Sequence, residues 1–139
     1  VYPVHPNRSV REPATELLSG HPRIRLTSPF TYPDLVAALM GSTLVLTDSG
    51  GIQEEAPTFG TPVLVLREVT ERPEGINAGV AELVGTDGER ILERALAVMD
   101  GDWTAPITNP YGDGRAGGRI ADILLADLTG VPRTTEDLA

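Results

Sequence analysis

Apolar residues come in short runs along the chain, separated by polar turns marked with glycine or proline. Short continuous apolar runs read as buried strands, and apolar positions repeating every three to four residues read as amphipathic helices. Val1 to Val4 reads as a strand ending in His5-Pro6-Asn7. Val10 to Ser19 has a helical pattern closed by Gly20, and Ile24 to Leu26 reads as a short strand. After the loop Pro29-Phe30-Thr31, Tyr32 to Met40 is helical, with Leu35, Val36 and Leu39 on one face and Gly41 at its end. Thr43 to Thr47 is a β-branched buried strand, and Asp48-Ser49-Gly50-Gly51 turns sharply into a helix closed by Gly60. Pro62 to Leu66 predicts another buried strand, Arg67 to Ala78 a polar loop, and Val80 to Val84 a further strand. Asp87 to Met99 is an amphipathic helix, Trp103 to Gly114 a loop or short helix, and Arg115 to Leu128 the final helix, before a frayed tail after Gly130.

Strands apolar on both faces alternate with helices, which is the pattern of a parallel sheet covered on both sides. The expected fold is a Rossmann-like, three-layer α/β domain over residues 1–139. Ligands of such sheets lie beyond the carboxyl ends of the strands. Those ends are His5–Asn7, Ser28–Thr31, Asp48–Gly51 and Arg67–Arg72.

The composition narrows the chemistry. With 20 acidic and 11 basic residues, the net charge of −9 opposes a nucleic-acid groove or an anionic membrane surface. There is no cysteine, so disulfides, thiolate metal sites and cysteine nucleophiles are excluded. Every basic residue is arginine, which removes a phosphate-loop lysine and Schiff-base chemistry. Two histidines are too few for a histidine-rich metal site. No apolar run approaches the ~20 residues of a membrane span, and the expected compartment is the cytoplasm. Strands seldom begin at a first residue, so the chain is expected to be a piece of a longer one.

The richest segment is DSGGIQEEAP, residues 48–57. Ser49 is placed to cap the helix through its hydroxyl, and Gly50 and Gly51 allow close backbone approach. The free amides of such a first turn suit a phosphate, although an ordinary capped helix has the same glycines. At about 100° per residue, Ile52, Ala56 and Phe59 share a buried stripe, Glu55 borders it and Glu54 faces solvent. A carboxylate beside the core at a pocket mouth needs a partner, either a ribose diol or a neighbouring arginine. Pro57 cannot donate to Gln53, so the helix is expected to kink there. His5 ends the first strand at the ligand edge, while His21 lies in a solvated loop. Arg67 and Arg72 suit a phosphate, or they pair with the acids of their own loop. Gly112, Gly114 and Gly117 match G-x-G-x-x-G, but no strand precedes them, so the dinucleotide reading fails.

Taken in order, YPVH, VREP, LTDSGGIQEEAP, PVLVLR, TERPE, AG, LVGTD and NPYGDG resemble the carboxyl-terminal half of non-hydrolysing UDP-N-acetylglucosamine 2-epimerases, from Val1 to about Leu128. The resemblance implies the two-domain GT-B architecture, with a nucleotide sugar between the domains. It also implies interconversion of UDP-N-acetylglucosamine (UDP-GlcNAc) and UDP-N-acetylmannosamine by elimination and re-addition of UDP. No metal and no cofactor are implied.

Carried over residue by residue, the resemblance gives Ser49, Gly50 and Gly51 to the diphosphate and Glu55 to the ribose hydroxyls. Arg72 is expected near the diphosphate and sugar, and His5 beside the diphosphate, where it would stabilise departing UDP. Uracil is expected against Phe30, Tyr32 and Leu35, although Leu35 stands where relatives carry an aromatic. No role follows for Gly112 to Gly114. The acid and base carboxylates belong to the amino-terminal half, so this chain is expected to bind UDP without turnover. Its expected partners are that missing domain and, at full length, a second copy in a homodimer, in polysaccharide biosynthesis. The alternatives are a GT-B glycosyltransferase donor domain, a UDP-sugar-binding module without catalysis, and the hydrolysing epimerase subclass.

Overall fold

The structure, a computed structural model, describes residues 1–104 and 109–137. The loop expected over Trp103–Gly114 therefore falls partly outside the described residues. The chain divides into two compact units, Val1–Gly41 and Ser42–Ala139. Each carries its own parallel sheet, so the α/β class expected from the alternating pattern is present in both.

The first unit runs β1 (Tyr2–Pro3), α1 (Arg8–Leu18), β2 (Leu26–Thr27) and α2 (Tyr32–Met40). β1 lies parallel to β2 with Tyr2 opposite Leu26, and the Val4 amide extends the ladder to the Thr27 carbonyl. α1 starts two residues before its apolar pattern because Asn7 Oδ1 accepts the Ser9 amide at 3.0 Å. A polar cap, which apolar periodicity does not register, sets that boundary. Val4, Ala14 and Leu39 are the buried apolar residues of this unit.

The second unit runs β3 (Val45–Thr47), α3 (Gly50–Glu55), a 3-10 turn (Ala56–Phe59) and β4 (Val63–Val65). It continues with α4 (Pro73–Asn77), β5 (Ala81–Leu83), α5 (Gly88–Met99) and α6 (Ala116–Thr129). Its sheet has the order β3-β4-β5, all parallel, with Val45 opposite Val63 and Val63 opposite Ala81. The central strand β4 is fully buried, as a strand covered on both faces must be. Leu46 on the edge strand β3 stays half exposed, so the expectation of a strand buried on both faces fails there. Leu64, Val84 and Val98 form the core, with Leu44, Leu66, Ile91, Ala95 and Trp103 packed round them. Ile91, Ala95 and Val98 are the inward face of α5, whose Asp87 cap accepts the Arg90 amide at 2.9 Å.

Two features depart from the polar-loop and helix expectations. The polar loop Arg67–Ala78 contains α4, started by Pro73 and Glu74, whose signals its dense charge obscures. The helix expected to run to Gly60 with a kink at Pro57 instead ends at Glu55 and tightens into a 3-10 turn containing Pro57, whose missing donor removes the α-helical bond. The turn closes on Gly60 at φ +70°, a left-handed conformation that glycine adopts without strain.

Candidate functional site

The site is built where β3 runs into α3 and where the loop after β4 folds beside it. Ser49 occupies the cap position of α3, but its side chain makes no capping hydrogen bond, contrary to expectation. The Ser49 amide is taken by Thr47 Oγ1 at 3.0 Å, and the Ser49 carbonyl accepts the Gln53 amide at 3.2 Å. The serine hydroxyl is thus left for another partner. The amides of Gly50 and Gly51 have no acceptor among the described residues. These donors are what an anion would use.

The inward face of α3 differs from the apolar stripe expected for it. Gln53 and Ala56 are fully buried, whereas Ile52 and Phe59 are only half buried. A buried amide must be paired, and Gln53 is paired at both ends. Its Nε2 donates to the Ser49 carbonyl at 3.3 Å, and its Oε1 accepts the Thr70 hydroxyl at 2.6 Å. Gln53 ties the loop after β4 to the start of α3. Hydrophobic patterning misses it, because a polar residue on the inner face only reveals itself through its partners.

Arg72 stands on the other side of this tie. Its Nε donates to Glu54 Oε1, so Glu54 is an ion-pair partner rather than a solvated acid. That bond, chiefly, raises the guanidinium's pKa above its ordinary value. Glu71 bridges Arg67 at 2.8 Å and lies 3.6 Å from Arg72 Nη1. A backbone hydrogen bond, followed by the two arginines, holds the Glu71 carboxyl below its usual range. The charges of this loop thus pair among themselves, yet Arg72 keeps spare donors. Nη2 has no hydrogen-bond partner among the described residues, and a Cβ built on Gly50 would lie 3.3 Å from it. The Gly50 backbone is thus faced by Arg72 Nη2 and by Glu71 Oε1, which the same Cβ would meet at 3.2 Å.

Glu55 completes the cluster. Its Oε2 is buried and has no hydrogen-bond partner among the described residues. An enclosed, unpaired carboxylate oxygen costs about 1–3 kcal/mol, and the neighbouring arginine that would have explained it pairs with Glu54 instead. A diol supplies what is missing, with two O–H donors for one carboxylate.

Residues 1–125 match the family model described as UDP-N-acetylglucosamine 2-epimerase. The chain belongs to the UDP-N-acetylglucosamine 2-epimerase family. It is 47% identical over 128 residues to the UDP-N-acetylglucosamine 2-epimerase of Escherichia coli, covering 89% of this chain and 34% of that protein. It resembles the S. aureus MnaA structure with UDP at a TM-score of 0.90 and 42% identity, over 99% of this chain and 39% of the other. A Neisseria meningitidis UDP-GlcNAc 2-epimerase structure with bound UDP-GlcNAc matches at a TM-score of 0.77 and 43% identity, over 88% of this chain and 35% of the other. The chain thus spans about a third of the length of the curated relatives it matches.

Within this epimerase-family chain, the second unit brings together Ser49, Gly50, Gly51, Glu55 and Arg72. The remaining candidates lie in the first unit. His5 is exposed, and its Nδ1 accepts the Asn7 amide at 3.1 Å, which places the proton of the neutral ring on Nε2. Phe30 and Leu35 are half buried, and Tyr32 is exposed at the first position of α2. A cleft of about 320 Å³ in the second unit is lined by Ile76, Glu82, Arg94, Asp102 and Trp103 among others, none of them a predicted site residue. Each nitrogen of its arginine already donates to Glu82 or Asp102. Among the described residues no cluster of His, Asp or Glu is arranged to hold a metal ion. No helix among them is long and apolar enough to cross a membrane.

Proposed function

We propose that this chain is the UDP-binding, carboxyl-terminal portion of a UDP-GlcNAc 2-epimerase. The observation that carries the reading is the buried, unpartnered Glu55 oxygen beside a glycine turn whose amides are free. Glu55 accepts the ribose hydroxyls. The Gly50 and Gly51 amides and the Ser49 hydroxyl receive the diphosphate, and Arg72 reaches it through its free Nη edge. Tyr32, exposed on α2, offers a ring for stacking, the role proposed for it toward uracil.

In the proposed reaction the C1–O bond of the sugar breaks as the proton on C2 leaves, giving UDP and a 2-acetamidoglucal. UDP then adds back with a proton delivered to the opposite face of C2. The share of this chain is to hold the departing UDP: amide donors and a guanidinium stabilise charge as it grows on the diphosphate. Proton transfer at C2 is assigned to the part of the relatives' length that this chain does not span. UDP-bound and UDP-GlcNAc-bound structures among the relatives support the substrate class.

Calorimetric titration with UDP tests the reading. The chain is expected to bind UDP and to lose affinity on Glu55→Ala and Ser49→Ala, with no turnover of UDP-GlcNAc. Unchanged affinity in both variants would remove the assignment, and turnover by this chain alone would remove the division of labour.

A further inference from the structure

We propose that Thr70 and Tyr111 are positioning residues for Arg72, holding its backbone at both ends so that the guanidinium stays opposite Gly50. This rests on the reading that Arg72 binds the diphosphate. The Arg72 amide donates to Thr70 Oγ1 at 3.1 Å, and the Arg72 carbonyl accepts the Tyr111 hydroxyl at 3.3 Å.

The direction of each bond is set by chemistry. Gln53 Oε1 only accepts, so the proton of Thr70 is committed to it and a lone pair of Thr70 faces the Arg72 amide. The Tyr111 oxygen accepts the Gly75 amide at 3.0 Å, so its proton goes to the Arg72 carbonyl. Arg72 precedes α4 and offers no side-chain cap, leaving the early amides of that helix without a local partner. Tyr111, 36 residues beyond Gly75, supplies the cap instead.

Tyr111 is itself fixed. Its amide donates to Asn109 Oδ1 at 3.0 Å, and Asn109 Nδ2 donates to Thr58 Oγ1 at 2.8 Å. Gly75 leaves the room required, because a Cβ there would sit 2.4 Å from the Tyr111 oxygen. Burial pushes the Tyr111 phenol up, so it remains a donor at neutral pH. The NPYGDG segment, given no role by the ligand, thus acts on the ligand's arginine from behind.

The test compares UDP with uridine, which shares the base and ribose but has no phosphate. Tyr111→Phe and Thr70→Val are each expected to weaken UDP about three- to tenfold, the scale of one hydrogen bond. Uridine binding, followed by NMR, is expected to stay unchanged. Thr70→Ser, which keeps both hydrogen bonds, is expected to restore UDP affinity. In an Arg72→Ala background Tyr111→Phe should cost no more, because it acts through the side chain already removed. Equal weakening of uridine, additive losses with Arg72→Ala, or no loss of UDP affinity would each overturn the proposal. Should Tyr111→Phe fail to fold, the Thr70→Val and Thr70→Ser pair decides it. Should the unaltered chain bind no UDP, the diphosphate reading itself has failed, an outcome distinct from these.

Discussion

Arg72 and Arg94 look alike in the sequence, each an arginine among glutamates, yet the second unit uses them differently. Arg94 has all three nitrogens occupied: Nε by Glu82 at 2.6 Å, Nη1 by Asp102 at 2.6 Å and Nη2 by the Asp102 carbonyl at 3.3 Å. Its pKa is raised, first by the Glu82 hydrogen bond. Arg72 is hydrogen-bonded only through Nε, with Glu71 3.6 Å from Nη1; its carbonyl and amide are pinned by Tyr111 and Thr70, and its unpaired Nη2 lies beside Gly50. A saturated arginine ties β5 to α5 and the chain after it. A pinned one with an unpaired nitrogen is what the proposed diphosphate contact requires. Charge count does not separate the two; a nitrogen left without a partner does.

The sharpest way to break the contrast is to exchange the losses. Arg72→Ala is expected to weaken UDP by about 2 kcal/mol, the scale of a charge-assisted hydrogen bond, and to leave unfolding nearly unchanged. Arg94→Ala is expected to do the reverse, lowering stability by about 1–2 kcal/mol by stranding half-buried Glu82, with UDP affinity intact. Calorimetric titration and urea melts of both variants measure this. A UDP defect in Arg94→Ala would erase the distinction.

Glu55 supplies the next test. Glu55→Gln keeps the shape but removes charge and one acceptor, and is expected to cost UDP and uridine alike about tenfold. A loss confined to UDP would move Glu55 from the ribose to the phosphates. Gly75→Ala probes the support behind Arg72. The overlap with Tyr111 is expected to destabilise the chain by about 1–3 kcal/mol in urea melts, and Tyr111→Phe should relieve part of it.

The smallest effect is reserved for Asp122, a carboxylate with its acceptors filled. It receives the amides and hydroxyls of Thr134 and Thr135. Those bonds, led by the Thr135 hydroxyl, lower its pKa to about 2. A depressed carboxylate contributes above its unfolded value near pH 4 and loses that contribution as pH falls through about 2. The tail after α6 is therefore expected to loosen between about pH 4 and 2, as read by NMR of Thr134 and Thr135. Asp122→Asn should loosen it already at neutral pH without changing UDP affinity.

Much of this was legible in the residues alone. Helix α2 spans the residues its apolar pattern marks, because Leu35, Val36 and Leu39 lie on one face between a proline start and a glycine stop. The turn DSGG, an irregularity at Pro57 and the distinct environment of Glu55 also follow from local geometry. Gln53, Thr70 and Tyr111 were not legible, since each acts through a partner between 17 and 39 residues away. Nor was the fate of Glu54, which a helical wheel turns to solvent and Arg72 draws into an ion pair.

The sequence by itself determined the α/β class, the turns and the residue types able to meet a nucleotide, because periodicity, glycine and proline act over a few residues. Only the tertiary structure decided which arginine keeps a nitrogen without a partner and which carboxylate oxygen is left without a donor. Those properties are sums over partners brought together by folding, and a buried polar group reveals its role only when all its hydrogen bonds have been traced.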